Sequence, residues 1–148
     1  MEMNRTIKFR AWDKKEEKFD YDMFVDFEGD VWYYAEINYD TPNTEIDYNN
    51  SENRYELMQY TGFKDKNGTE IYEGDIVRLY DIWDELTGGR EKGKQRICRV
   101  EYVGSGFLVV QGDEEGYERD LFMAKINDDD LEVIGNIYEN PELLERSE

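Results

Sequence analysis

Residues Leu57–Val77 read LMQYTGFKDKNGTEIYEGDIV, a run of turn residues set between apolar arms. Asn67-Gly68 stands between two arms that carry apolar and aromatic residues, and Asn-Gly is favoured in hairpin turns whose two central residues need positive φ. The spacing therefore predicts that Phe63–Lys66 pairs with Thr69–Tyr72. Glu73-Gly74-Asp75 makes a second corner, after which Ile76–Tyr80 resumes a strand.

The same signals recur on both sides. Ile7, Phe9 and Ala11 alternate with Lys8, Arg10 and Trp12, the period-2 pattern of a pleated segment. Asp22–Phe27 and Asp30–Tyr39 read as two strands joined at Glu28-Gly29. The run from Tyr39 to Asn53, rich in Asn, Asp and Thr, reads as a loop or lobe boundary. Trp83–Gly93 reads as an exposed connection. Arg96–Val103 and Phe107–Gln111 form the strongest hairpin, turning at Gly104-Ser105-Gly106, and Leu131–Tyr138 is the last strand. Asn140-Pro141-Glu142 opens a short helix with Asn at the N-cap and Pro in the first turn. Short strands with close turn signals predict a mainly β fold, a short-stranded antiparallel barrel or sandwich plus a short C-terminal helix. We expect one domain over 1–148, with lobes 1–56 and 57–148 if the loop-rich run divides it.

The chain has 148 residues and a formal net charge of −19. A domain of that size buries roughly 68–70% of its unfolded surface, and 12 Tyr, 7 Phe and 3 Trp give it a core to build. The charge is uneven. Residues 11–56 hold 14 acids and 4 bases, 57–109 hold 9 and 8, and 110–148 hold 13 and 3. Acidic flanks repel phosphate backbones and anionic membranes and attract basic proteins. A lone cysteine, Cys98, excludes an intrachain disulfide and suits a reducing compartment. The start MEMNRTIKF lacks an apolar leader core, and no apolar run approaches the ~20 residues of a membrane span. The expectation is a cytoplasmic protein with no membrane partner.

Catalytic constellations are tested by elimination. There is no histidine, so histidine-based triads, Cys-His pairs and histidine zinc sites do not arise. Cys98 lies between Arg96 and Arg99, which favour a thiolate, but strand alternation puts it beside Val100 and Tyr102 and so predicts a buried structural thiol. Gly88–Lys94 matches G-x-x-x-x-G-K, yet Gln95 follows where Ser or Thr must hold magnesium, and a strand follows where a helix must begin. A flexible loop explains it. Asp65-Lys66-Asn67-Gly68 shares part of a calcium loop but lacks the upstream acids and the closing Glu. Asn127–Asp130 attracts cations as any solvated acidic loop does. With 37 acids any carboxylate pair can be picked, so no catalytic, cofactor-binding or metal residue is assigned and no cofactor is expected.

Three stretches together carry a family resemblance. IKFRAWD (7–13), LMQYTGFKDKNGTEIYEGDIV (57–77) and VIGNIYENPELL (133–144) resemble, in order, the signature stretches of the YopX family of phage and prophage proteins. The resemblance implies a phage or prophage origin, in the bacterial host cytoplasm, and brings no established biochemical activity. The part from EGDIV through the Arg96–Gln111 hairpin also resembles the entry to an SH3-like barrel.

Tyr60, Thr61, Tyr72 and Asp75 put aromatic and hydrogen-bonding groups near two corners, and interfaces are enriched in aromatics. We take them as a candidate interaction surface. The leading expectation is a non-enzymatic protein that docks on a phage or host protein with a basic surface, in its sharpest form as a nucleic-acid mimic. A nucleic-acid-binding module using the basic strip from Arg90 to Arg99 is the alternative, disfavoured by the charge balance. A carboxylate- or metal-dependent enzyme is the third reading. Exposed strand edges also allow a homo-oligomer.

Overall fold

The computed structural model describes residues 6–21, 23–26, 28, 30–33, 53–112, 116–127 and 130–145. Along them run β1 (Phe9–Asp13), β2 (Lys18–Asp20), β3 (Met23–Val25), β4 (Val31–Tyr33), β5 (Tyr55–Lys64), β6 (Glu70–Tyr72) and β7 (Asp75–Asp81). Then follow α1 (Trp83–Leu86), β8 (Lys94–Val103), β9 (Gly106–Gln111), β10 (Tyr117–Asp120), α2 (Leu121–Asn127), β11 (Glu132–Asn136) and α3 (Glu142–Glu145). The fold is mainly β with antiparallel pairing, as the spacing of turn signals predicts. The chain divides into two compact units, Lys8–Gln59 and Tyr60 onward.

In the smaller unit, β1 pairs with β2 (Ala11 opposite Asp20) and with the first half of β5 (Ala11 opposite Leu57). Ala11, Val31 and Tyr55 form its core, with Met23 and Leu57 packed on them. The period-2 pattern of β1 does not leave one face wet. Phe19 covers the second face: Trp12 meets its ring edge-on at 5.0 Å, and the Arg10 guanidinium lies 4.4 Å from its centre. Asp13 is buried and accepts from the backbone N–H of Lys15 (2.9 Å) and Glu16 (3.2 Å). Arg54 grips both its oxygens, Nε to Oδ1 at 2.8 Å and Nη2 to Oδ2 at 2.5 Å. The expected second hairpin is β3–β4, where Asp26 Oδ1 accepts from Glu28 and Asp30 N–H, both at 2.9 Å. Residues 34–39 of its second arm and the expected loop from 39 to 52 lie outside the described residues.

The larger unit is built on a five-stranded sheet in the order β10-β9-β8-β7-β11. Val77, Leu79, Cys98, Val100 and Val109 face one core with Ile71, Leu121, Ala124 and Leu131. The predicted 96–111 hairpin is β8–β9, and Tyr102 and Val103 emerge into solvent at its tip.

Residues 57–77 form the expected hairpin with a different turn. Only Gly68 of the central pair has positive φ (+80°), because Asp65 organises the loop: its Oδ1 accepts from Asn67 N–H (2.8 Å) and Thr69 N–H (2.9 Å). The paired residues are Lys64 with Glu70 and Tyr60 with Tyr72, separated by an irregularity at which Gly62 takes φ +89°. A bulge of this kind needs a residue that tolerates left-handed backbone.

The expected N-cap at Asn140 is also different. Its Oδ1 accepts from Asn136 N–H at 3.3 Å instead of capping α3, while Asn136 Oδ1 accepts from Tyr138 (3.0 Å) and Glu139 (2.9 Å) N–H. A Cβ on Gly135 would come within 2.6 Å of Asn140 Oδ1 and 2.9 Å of its Cβ, so glycine there makes room for the brace. Four elements were not anticipated: β2, α1, β10 and α2. Among the described residues, no helix is long and apolar enough to cross a membrane.

Candidate functional site

The stretches that stand out in the sequence hold each other. Asp65 Oδ2 accepts from Val133 N–H (2.9 Å), and Lys66 N–H donates to Leu131 carbonyl (3.0 Å). Gly74 N–H donates to Val100 carbonyl (2.9 Å), and Gly74 carbonyl accepts from Ile137 N–H (2.8 Å). Residues 57–77 and 133–144 are thus two sides of one clasp. Three backbone N–H groups hold Asp65, which keeps its carboxyl below the usual range against the opposing effect of burial.

The four residues expected to form an interaction surface sit in this clasp. Tyr60 and Tyr72 are each 7% exposed, with ring centres 5.5 Å apart, and Asp75 is 2% exposed and accepts Tyr72 N–H at 2.8 Å. The Thr61 hydroxyl donates to Ile71 carbonyl at 2.7 Å. The corners bring them together, but inward, which leaves a partner little of them to touch.

The basic strip is largely engaged within the chain. Arg96 Nε pairs with Asp81 at 3.1 Å and Arg96 Nη1 donates to Gln111 at 3.0 Å. Arg99 pairs with Glu101 and reaches Gly112 carbonyl, and Lys94 lies 3.9 Å from Glu91. Arg90 and Lys92 are exposed. Cys98 is fully buried; desolvation pushes its thiol up to about 12, and the neighbouring arginines do not offset it. The segment 83–93 is not a phosphate loop. Asp84 accepts Glu91 N–H at 2.7 Å beside Gly89, and Gly93 packs under the Tyr80 ring, which a Cβ would approach to 2.6 Å. Of the acidic run, Asp128 and Asp129 lie outside the described residues. Among the described residues no three acids or cysteines gather as a metal site.

A concave site forms away from all the residues singled out in the sequence as candidate interaction residues. β7, α1, β10 and α2 enclose a pocket of about 210 Å³, floored by Leu79 and Ala124 and walled by Tyr80, Trp83, Tyr117 and Arg119. Tyr117 lies between two guanidinium groups, Arg96 at 3.9 Å and Arg119 at 5.1 Å, and Arg119 in turn lies 6.0 Å from the Trp83 ring centre. The order Arg96, Tyr117, Arg119, Trp83 is a ladder in which each cation meets the negative face of a ring. Arg119 Nη1 donates to Glu118 carbonyl at 3.0 Å, and its buried Nε has no hydrogen-bond acceptor. Burial pushes the Tyr117 phenol above its ordinary range, with Asp81 adding to the effect. Asp120 Oδ1 accepts Met123 N–H at 3.1 Å and starts α2. The readable signal was present in YERDLFMAKI: alternation at Tyr117 and Arg119, then an Asp cap before buried Leu121 and Ala124.

On α2, Phe122 and Ile126 stand one turn apart and are 53% and 57% exposed. The Phe122 ring centre lies 6.1 Å from that of Phe63. This is an apolar patch on an otherwise acidic C-terminal part.

Comparison with known proteins fits this architecture. The crystal structure of protein EF1440 from Enterococcus faecalis is similar, with 30% sequence identity and a TM-score of 0.57, over 94% of this chain and 98% of that one. No curated protein matches the chain. The family model described as YopX protein matches residues 8–145. That span takes in every described strand of both units and the clasp between 57–77 and 133–144, and the chain belongs to the YopX family.

Proposed function

We propose that this chain is a non-enzymatic interaction protein of phage or prophage origin that works in the host cytoplasm and docks on a protein with a basic surface. The net charge of −19, concentrated in residues 11–56 and 110–148, carries the reading. Such a field steers a basic partner toward the acidic surface and disfavours nucleic acid. The exposed Phe122 and Ile126 supply apolar anchors of the kind that hold an interface once charge has brought it together. If carboxylates stand in for phosphates, the partner is itself a nucleic-acid-binding protein.

The test is capture from a host lysate on the immobilised protein, eluted with a salt gradient, beside a Phe122→Ser/Ile126→Ser variant. A basic protein released at moderate salt, and retained less by the variant, is the expected result. Retention that ignores both salt and the two substitutions contradicts the reading. A gel shift with single- and double-stranded DNA and RNA at low salt is expected to show no complex, and a clear shift lost on neutralising Arg90 and Lys92 would replace docking with nucleic-acid binding.

A further inference from the structure

We propose that the pocket between β7, α1, β10 and α2 binds an uncharged planar heterocycle of the nucleobase class, with guanine the best match. The proposal is independent of the docking reading.

Three observations converge. The walls carry flat rings, those of Tyr80, Trp83 and Tyr117, with the Arg119 guanidinium beside them. Flat aromatic and guanidinium faces are what nucleobases stack on. The chain already sets cations over rings here, since the ladder from Arg96 to Trp83 alternates cation and ring at 3.9, 5.1 and 6.0 Å. A cavity of about 210 Å³ is small for a drug-sized molecule, whose pockets start at roughly 300 Å³, and suits a single ring system.

The polar groups narrow the class. Arg119 commits Nη1 to the Glu118 carbonyl and buries its Nε, which leaves Nη2 to donate. Asp120, exposed at the rim, uses Oδ1 for Met123 N–H and leaves Oδ2 to accept. A ligand must therefore carry acceptors and donors around one flat ring. Guanine does so, with O6 and N7 facing a guanidinium, while N1–H and the N2 amine face a carboxylate. A saturated apolar group would leave both charges unanswered.

Charge decides the form of the ligand. At a net −19 a phosphate group is repelled, so the free nucleoside binds better than its monophosphate. Tyr80 is fixed in the wall from outside the pocket: its hydroxyl donates to Gly93 carbonyl at 2.9 Å, and Gly93 packs against its ring.

The experiment is titration of protein labelled with ¹⁵N at the tryptophan indoles, using guanosine, adenosine, guanosine monophosphate and tyrosinamide as probes. Guanosine is expected to shift the Trp83 signal, not that of Trp12, with a midpoint on the order of 1 mM, as one stacked and hydrogen-bonded ring gives. Adenosine is expected to bind about tenfold more weakly. The monophosphate is expected to bind more weakly than guanosine at low salt, with the gap closing as salt is raised. Arg119→Lys keeps the charge and removes the planar donor fork, and Gly93→Ala displaces Tyr80 without substituting a lining residue; both are expected to abolish the shift in protein whose remaining spectrum is unchanged. No shift of Trp83 with guanosine overturns the proposal. Equal shifts from tyrosinamide and guanosine overturn it too, and make the pocket a socket for a partner's aromatic side chain.

Discussion

Single side chains hold this molecule at two buried carboxylates. The Arg54 guanidinium, ahead of two backbone N–H groups, holds the Asp13 carboxyl at about 2 instead of its ordinary 3.8. The folded form therefore binds this proton less tightly than the unfolded chain. The contribution, about 2 kcal/mol by linkage, is full well above pH 4 and is lost as pH falls toward 2. Asp13→Asn is expected to lower stability by roughly 2–4 kcal/mol at pH 7, because it leaves a partly buried guanidinium without its counter-charge. Urea unfolding followed by Trp12 fluorescence checks this, and the gap between the two proteins should close as the pH is lowered. Asp65→Ala removes three backbone hydrogen bonds at once and is expected to cost about 2–4 kcal/mol. The isosteric Asp65→Asn should lose less, and thermal unfolding of the pair separates charge from geometry. Cys98 shows what sequence leaves open at this scale: its flanking arginines argued for a reactive thiol and its strand alternation for a buried one. Burial prevailed because the sheet and α2 cover it on the core side.

At the scale of elements, most hairpins and the C-terminal helix α3, announced by Asn140-Pro141-Glu142, were legible, and α1 and α2 were not. β8–β9 and β7 follow from runs of alternating apolar residues that end at glycine corners, and both are local signals. The 57–77 hairpin was legible in existence but not in turn type, since Asn-Gly points to a two-residue turn while Asp65 captures two N–H groups and widens the loop. α1 has four residues and α2 seven, too short for periodicity to declare them. The pocket went unseen for the same reason, because two of its four sides are α1 and α2. Gly135 tests the brace at the end of the chain. Gly135→Ala is expected to cost about 1–3 kcal/mol by pushing Asn140 off Asn136, and Asn140→Gly in the same chain should recover part of the loss. Thermal unfolding of the single and double variants reads the coupling. By contrast, Phe122→Ser and Ile126→Ser lie on the outer face of α2, and each should change stability by less than about 0.5 kcal/mol. A large loss in either would mean that the patch is packed in solution.

For the molecule as a whole, charge is plain in the sequence, and of the candidate interaction residues Tyr60, Tyr72 and Asp75 are buried and Thr61 is half-buried. Aromatic residues beside tight turns serve a core as well as an interface, and only the β5–β6 register reveals that Tyr60 and Tyr72 pair with their rings tilted against each other. A net charge of −19 makes the folded state repel itself. Raising sodium chloride from about 20 mM to about 300 mM should therefore raise Tm by a few degrees, although the exposed ion pairs weaken. A fall in Tm would show that paired charges outweigh the excess. One residue of the larger unit carries more than its size suggests. Gly74 gives its N–H to β8 and its carbonyl to the residue just beyond β11, so neither bond can open alone without loosening the clasp. In deuterated water the amides of Gly74 and Ile137 should exchange together, among the slowest in the protein, and at the rate set by global opening rather than by local fraying. A corner without a side chain thereby becomes the clock by which the unfolding of that unit is read.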